Sequence, residues 1–162
     1  MEDIQNYLKV LSDSLEQKKT VLTQILEVTR RQERIAMAQA EEFSEIEFSN
    51  TVNEKEVLIA RLNQLDDGFL SVYNRIRQDV IDQGGLYDPE IRRMQEQIKV
   101  CVDIGNEIQV LEERNQTKMA LHFSAKQEEY KARANMNSVA KSYHQSMSGV
   151  NFSDPFFMDQ KK

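Results

Sequence analysis

The first part of the chain carries apolar residues at heptad spacing, the pattern of an amphipathic helix that packs along other helices. The spacing predicts a helix from about Glu2 to Phe43, which at 1.5 Å per residue makes a rod of roughly 60 Å. Its inward frame is apolar in the first half and more polar in the second. The frame holds Ile4, Leu8, Leu11, Leu15, Leu22, Ile25, Ala36 and Phe43, together with the polar residues Lys18, Thr29, Gln32 and Gln39.

A second heptad stripe predicts a helix from Thr51 to about Gln83. Thr51 and Glu54 have the spacing of a capping box, which places the helix start there. The Asp66-Asp67-Gly68 triplet could be a turn, but Leu62 and Phe69 stay in phase across it, so a continuous, kinked helix is predicted. The stripe holds Val52, Ile59, Leu62, Phe69, Tyr73, Ile76 and Val80, with Lys55 and Asp66 on the same frame.

The clearest break runs from Gly84 to Pro89, where Asp88 has the character of an N-cap and Pro89 suits the first helical position. A third helix follows, interrupted by Gly105, which is either a weak point or a place of close helix approach. After His122 charged residues occupy the inward frame. The third stripe holds Ile91, Met94, Ile98, Cys101, Ile104, Ile108, Leu111 and Met119. The predicted fold is therefore all-α, an elongated antiparallel coiled-coil bundle of three long helices over residues 1–122.

Residues 123–162 are predicted to form an extension of helix three and a flexible tail. A further stripe in this Ser-rich stretch follows these charged residues, and it holds Ala132, Met136, Ala140, Tyr143, Met147 and Val150. An apolar face without an intrachain surface to meet is a candidate for folding against a partner. The alternative is a disordered tail with incidental apolar residues.

Composition argues against nucleic-acid binding and a membrane span, and it favours protein binding. The net charge of −6 argues against nucleic acid, which needs clustered Lys and Arg. No apolar run approaches the ~20 residues of a membrane span. The acidic start is unlike a signal peptide, and the single Cys101 fits a reducing compartment, so a cytoplasmic location is expected.

The residues that enzymes need are scarce. His122 and His144 are the two histidines, and neither has a Glu three residues before it, as di-iron bundles require. Cys101 lies on the apolar stripe, and no second cysteine is present for a zinc or redox pair. Gly84-Gly85 is not followed by the Lys-Ser/Thr of a phosphate-binding loop. The expectation is a protein without catalytic residues, metal or cofactor.

The sequence resembles the FlgN-like flagellar export chaperones of bacteria over most of its length. Three features carry the resemblance: a long Leu/Ile/Glu-rich first helix, the run NEKEVLIARL from Asn53 to Leu62, and a Ser- and Asn-rich end that closes on Phe-Phe, Asp and Lys. Asp66-Asp67-Gly68 and the polar second half of helix one do not match the family pattern.

The resemblance implies a chaperone that binds the C-terminal helices of hook–filament junction (hook-associated) proteins and delivers them to the flagellar type III export apparatus. The family binds its substrates through the C-terminal region, which corresponds here to about residues 119–150. The spacing selects Met119, Met136, Ala140, Tyr143, Met147 and Val150 as partner-binding residues. Two alternatives remain: a structural coiled-coil protein that self-associates as a homodimer, and another helical secretion chaperone.

Overall fold

The structure is a computed structural model that describes residues 2–124 of the 162-residue chain. Three helices make it up: α1 (Glu2–Ala36), α2 (Glu45–Asp82) and α3 (Asp88–Phe123), with a short 3₁₀ helix, Gly84–Tyr87, before α3. Each long helix spans about 50–60 Å at 1.5 Å per residue. The predicted all-α architecture of three long helices is confirmed.

The helices run up, down and up. Residues near the start of α1 share an apolar cluster with the end of α2, so these two helices are antiparallel. α1 and α3 are parallel and in constant register, because contacts between them repeat at a sequence separation of 86 residues. This separation joins the Cys101 thiol to the Leu15 carbonyl, the Asn115 amide to the Thr29 carbonyl, and His122 to the Ala36 carbonyl.

α1 is the central helix of the bundle. Its backbone approaches both α2 and α3 closely, whereas within residues 2–124 no Cα atom of α2 lies within 8 Å of one in α3. Long side chains bridge the wider gap between α2 and α3, as Lys55 does when it reaches Glu112. The two apolar interfaces of α1 therefore provide most of the close helix packing.

The predicted stripes form the core. Their apolar members are buried, except for Phe43 and Ile104, which are partly buried against the core. The core divides into two apolar clusters, one around the start of α1 and one around its second half. Lys18 and Asp66 are buried at the boundary between them.

The predicted turn between α1 and α2 was misplaced. α1 ends at Ala36 and not at Phe43, and α2 begins at Glu45 and not at Thr51. Ser44 is the N-cap, and its hydroxyl accepts a hydrogen bond from the Glu47 amide at 3.2 Å. The sequence contains two Ser/Thr-x-x-Glu motifs, and the earlier one adds nearly two helical turns, which bury Phe48 in the core.

The second break was placed correctly, but its cap was not. Gly84 has φ of 61°, a left-handed conformation that glycine adopts without strain. The 3₁₀ helix then buries Tyr87, which occupies the N-cap position of α3 without a side-chain cap bond. Asp88 therefore lies in the first helical turn, where its carboxylate interacts favourably with the positive end of the helix dipole. α2 is continuous through Gly68, as predicted.

Candidate functional site

The predicted partner-binding residues divide at the end of α3. Met119 is 1% exposed and packs in the core, so its side chain is a structural element of the bundle and offers no surface to a partner. Met136, Ala140, Tyr143, Met147 and Val150 lie outside the described residues, and their role stays a prediction. The described part of the chain shows the scaffold that carries this segment.

A buried ion pair joins α1 to α2 at the centre of the bundle. Lys18 Nζ lies 2.7 Å from Asp66 Oδ1, and the two side chains are 5% and 6% exposed. Burial raises the pKa of Asp66 above its ordinary value, while Lys18 opposes this shift. The second carboxylate oxygen, Oδ2, has no hydrogen-bond partner among the described residues. The pair is therefore held in an environment that stabilises charge poorly.

A second buried polar layer joins all three helices. Lys55 Nζ donates to Gln32 Oε1 at 3.0 Å and to Glu112 Oε1 at 2.6 Å, and its side chain is 1% exposed. Burial lowers the pKa of Lys55, and the Glu112 carboxylate opposes this change. Because each helix contributes one group, a slip of any helix would leave a buried charge or amide without its partner.

A neutral polar contact lies close to this second layer. The Asn115 side chain donates to the Thr29 carbonyl at 3.1 Å, and the Thr29 hydroxyl bonds the Ile25 carbonyl at 2.7 Å. Both residues are buried. Polar groups on inward frames fix the register of coiled coils, because only one alignment satisfies them. The polar residues in the second half of the α1 stripe thus specify how the three helices align.

Cys101 and His122 both take part in the packing of the bundle. Burial raises the pKa of the Cys101 thiol to about 11, so this sulfur is protonated near neutral pH and is a poor nucleophile. His122 Nε2 lies 2.8 Å from the Ala36 carbonyl oxygen, which only accepts, so this nitrogen carries the proton. Across residues 2–124 no group of three or more His, Cys, Asp or Glu side chains could hold a metal ion.

At the end of the bundle where α3 reaches Phe123, ring contacts join the turn between α1 and α2 to α3. The Phe43 ring stacks on His122 with a centroid distance of 4.1 Å and meets Phe123 edge-on at 5.7 Å. The turn between α1 and α2 is thereby attached to the last turn of α3. A groove of about 400 Å³ opens on the other side of this turn, and it is lined by Arg31, Arg34, Ile35, Glu47, Asn50, Thr51 and Glu54. Its Arg31 and Glu54 already pair with each other at 2.8 Å.

Sequence reasoning did not identify the pairing of Lys18 with Asp66 or of Lys55 with Glu112. Lys18, Asp66 and Lys55 are polar members of the predicted inward stripes, but a stripe by itself does not give its alignment with another stripe. The signal that could have found the pairs is the position of opposite charges at similar distances on either side of a turn: Lys18 and Asp66 flank the first turn, and Lys55 and Glu112 flank the second. The predicted stripe of helix three also left out Glu112 in favour of the neighbouring Leu111.

Comparison with known proteins gives no assignment. The sequence matches no protein-family model, and no curated protein or solved structure is significantly similar to it. Among the helices that the structure describes, none is long and apolar enough to cross a membrane.

Proposed function

We propose that this chain is a cytoplasmic, non-catalytic chaperone of the flagellar type III export pathway. In this role it binds the C-terminal helices of hook-associated junction proteins, keeps them from assembling early and brings them to the export apparatus. The proposal combines the resemblance to FlgN-like chaperones with the organisation of the bundle and with the apolar stripe that follows it.

The proposal rests on one observation: the apolar side chains of the three inward stripes pack against one another inside the bundle. From Ile4 to Phe123 their large apolar side chains are buried or partly buried in the two core clusters. In sequence, the stripe from Ala132 to Val150 follows the described bundle, and Met136 and Tyr143 keep the heptad frame of α3 after a break at charged residues. α1 ends at Ala36, whose carbonyl oxygen contacts His122, so the inward stripe of α1 ends at this level. We infer that this C-terminal stripe serves a partner helix.

The residue types of the C-terminal stripe fit a helix-binding role. Met136 and Met147 have unbranched, polarizable side chains that adapt to different apolar surfaces, and Tyr143 adds a large amphipathic ring. Small residues such as Ala140 allow close approach of a second helix. A stripe of this kind is suited to a chaperone that receives several related helices.

The test is a triple variant, Met136→Ser, Tyr143→Ser and Met147→Ser, titrated with the C-terminal helix of a junction protein. Each buried anchor typically contributes about 1–3 kcal/mol, so the three together should weaken binding at least about a hundredfold. The matched control replaces Ser138 and Gln145 by Ala on the opposite side of the same segment. It should bind like the parent protein.

The thermal midpoint separates binding from folding. All substituted positions lie beyond the bundle core of residues 2–123, so the triple variant should melt at nearly the same temperature as the parent. Normal binding by the triple variant would refute the assignment of the C-terminal stripe as the binding surface. If the parent forms a dimer that the triple variant loses, the stripe is a self-association surface and the structural coiled-coil alternative is correct.

A further inference from the structure

The bundle is long compared with the reach of its side chains. Each helix spans about 50–60 Å, and the contacts between α1 and α3 join residues at the same level, since they repeat at a separation of 86 residues. Apolar side chains at one end of the bundle therefore do not contact those at the other end. In such an elongated arrangement, cohesion between the two ends depends on the helix backbones and on the side chains at the middle level.

The apolar core divides into two clusters at that middle level. The cluster at the start of α1 is formed within residues 2–15 and 69–98, which we call the start half. The other cluster is formed within residues 21–65 and 101–123, which we call the turn half because it contains the turn between α1 and α2. The boundary between the halves thus crosses all three helices at one level.

The boundary level offers little apolar cohesion. Lys18 and Asp66 occupy its inward positions, with their charged atoms 2.7 Å apart, and Asp66 Oδ2 has no hydrogen-bond partner among the described residues. On α3, the separation of 86 residues places the buried Gly105 at the level of Lys19, so no side chain of α3 fills the core at that position. A buried ion pair gains little beyond its desolvation cost, and glycine weakens a helix interior. The two halves are therefore weakly joined.

Buried polar side chains distinguish the two halves. Within the described part of the chain, the buried polar residues away from the boundary all lie in the turn half, and they are Thr29, Gln32, Thr51, Lys55 and Asn115. The buried residues of the start half are apolar or aromatic, and Glu90 is only partly buried there. Each buried polar group must recover its desolvation cost through hydrogen bonds. Burial accordingly lowers the pKa of Lys55, and the turn half gains less stability from burial than the start half.

The two connections between helices point the same way. In the turn half, residues 37–44 lie between the helices and must be ordered at a cost in conformational entropy. In the start half, the connection is the short 3₁₀ helix Gly84–Tyr87, which buries Tyr87 in the core. The turn half is therefore the less stable of the two.

We infer that the bundle consists of two cooperative units that meet at the Lys18–Asp66 level, and that the turn half opens while the start half stays folded. The opening separates the end of α3 from α1 and exposes the apolar side chains of Ile108, Leu111 and Met119. This stripe precedes the C-terminal stripe on the same helix frame. The inference concerns the bundle itself and does not depend on the proposed function.

Hydrogen exchange of the full chain, at urea concentrations below the unfolding transition, tests the order of opening. Amides in the turn half should be at least about tenfold less protected than amides in the start half. Their protection should also fall less steeply with urea, because a partial opening exposes less surface than complete unfolding. The comparison uses amides away from the boundary: residues 22–29, 55–62 and 108–115 in the turn half, and residues 8–15, 73–80 and 91–98 in the start half. Equal protection and equal urea slopes, or lower protection in the start half, would overturn the inference.

The double variant Lys18→Met, Asp66→Leu tests the role of the boundary. Apolar side chains at this level should join the two clusters, so the difference in protection between the halves should shrink to about threefold or less. The matched control is Arg31→Met, Glu54→Leu, which removes an exposed ion pair of nearly the same length inside the turn half. The control should keep the difference seen in the parent. If the boundary variant also keeps it, the Lys18–Asp66 level does not separate two units.

The Cys101 thiol provides a second measurement that needs no substitution. Its side chain is 1% exposed and belongs to the apolar cluster of the turn half, so a thiol reagent reaches it when that half opens. The labelling rate of the parent should therefore rise less steeply with urea than the global unfolding constant measured by circular dichroism. A labelling rate with the full urea dependence of global unfolding would show that the bundle opens as one unit.

Discussion

Replacing Lys18 by Met should destabilise the bundle strongly, whereas replacing Arg31 by Met should not. The two ion pairs have nearly the same length, since Lys18–Asp66 is 2.7 Å and Arg31–Glu54 is 2.8 Å. They differ in burial, because the side chains are 5% and 6% exposed in the first pair and 45% and 49% in the second. The comparison therefore isolates the effect of burial at fixed geometry.

The expected magnitudes follow from that difference. Lys18→Met leaves the Asp66 carboxylate buried without its partner, which typically costs about 3–5 kcal/mol. This is a large fraction of the ~5–15 kcal/mol that stabilises an ordinary domain. Arg31→Met removes an exposed pair and should cost at most about 1 kcal/mol. The double variant Lys18→Met, Asp66→Leu removes both buried charges and should recover most of the stability lost in the single variant.

Urea unfolding followed by far-ultraviolet circular dichroism measures these free energies by linear extrapolation. If Lys18→Met costs no more than Arg31→Met, the Lys18–Asp66 pair is not buried as described. If the double variant is as unstable as the single one, an isolated buried charge is not the cause of the loss.

Three further predictions concern particular residues. Burial raises the folded-state pKa of Asp66, so as the pH falls from neutral towards 4 this carboxylate takes up a proton in the folded protein before it does so in the unfolded chain. The parent's free energy of unfolding should therefore rise relative to that of Asp66→Asn. Parallel pH profiles of the two proteins would refute the raised pKa. Cys101 is buried with a pKa of about 11, so a thiol reagent should label it rapidly in denaturant and very slowly in the folded protein. Gly68→Ala should stabilise α2 by roughly 0.5–1 kcal/mol, because no atom lies within 4 Å of the added carbon. Gly84→Ala should destabilise the protein by about 1–2 kcal/mol, because φ is +61° at this residue. The thermal midpoints of the two variants should shift in opposite directions.

Heptad spacing was sufficient to predict the helices and most of the core. Leu11, Leu22, Leu62 and Ile108 are fully buried, as their place on the inward frames required. Within a long helix the evidence for the inward frame is redundant, because many residues repeat the same periodicity. Helix ends lack this redundancy. Ser44 and Thr51 both open a capping motif, and only the burial of Phe48 in the assembled bundle decides between them.

The alignment of the helices was less accessible from sequence. Lys18 and Asp66 were visible as polar residues on inward stripes, yet a stripe by itself does not state which residue of another helix it meets. The pairing depends on where the first turn lies, and that turn was displaced in the prediction. Glu112 lies one heptad before the buried Met119, and its carboxylate meets Lys55 across the gap between α2 and α3. Such a contact depends on side-chain length and on the width of that gap.

Hydrogen exchange of the full chain, measured alone and with the C-terminal helix of a hook-associated junction protein, tests partner binding most directly. The proposed chaperone function predicts that amides from about residue 132 to residue 150 gain protection when the helix is added. It also predicts that amides in the buried turns of α1, α2 and α3 keep the protection they have in the free protein. No gain of protection between residues 132 and 150 at a saturating concentration of the helix would contradict the proposed function.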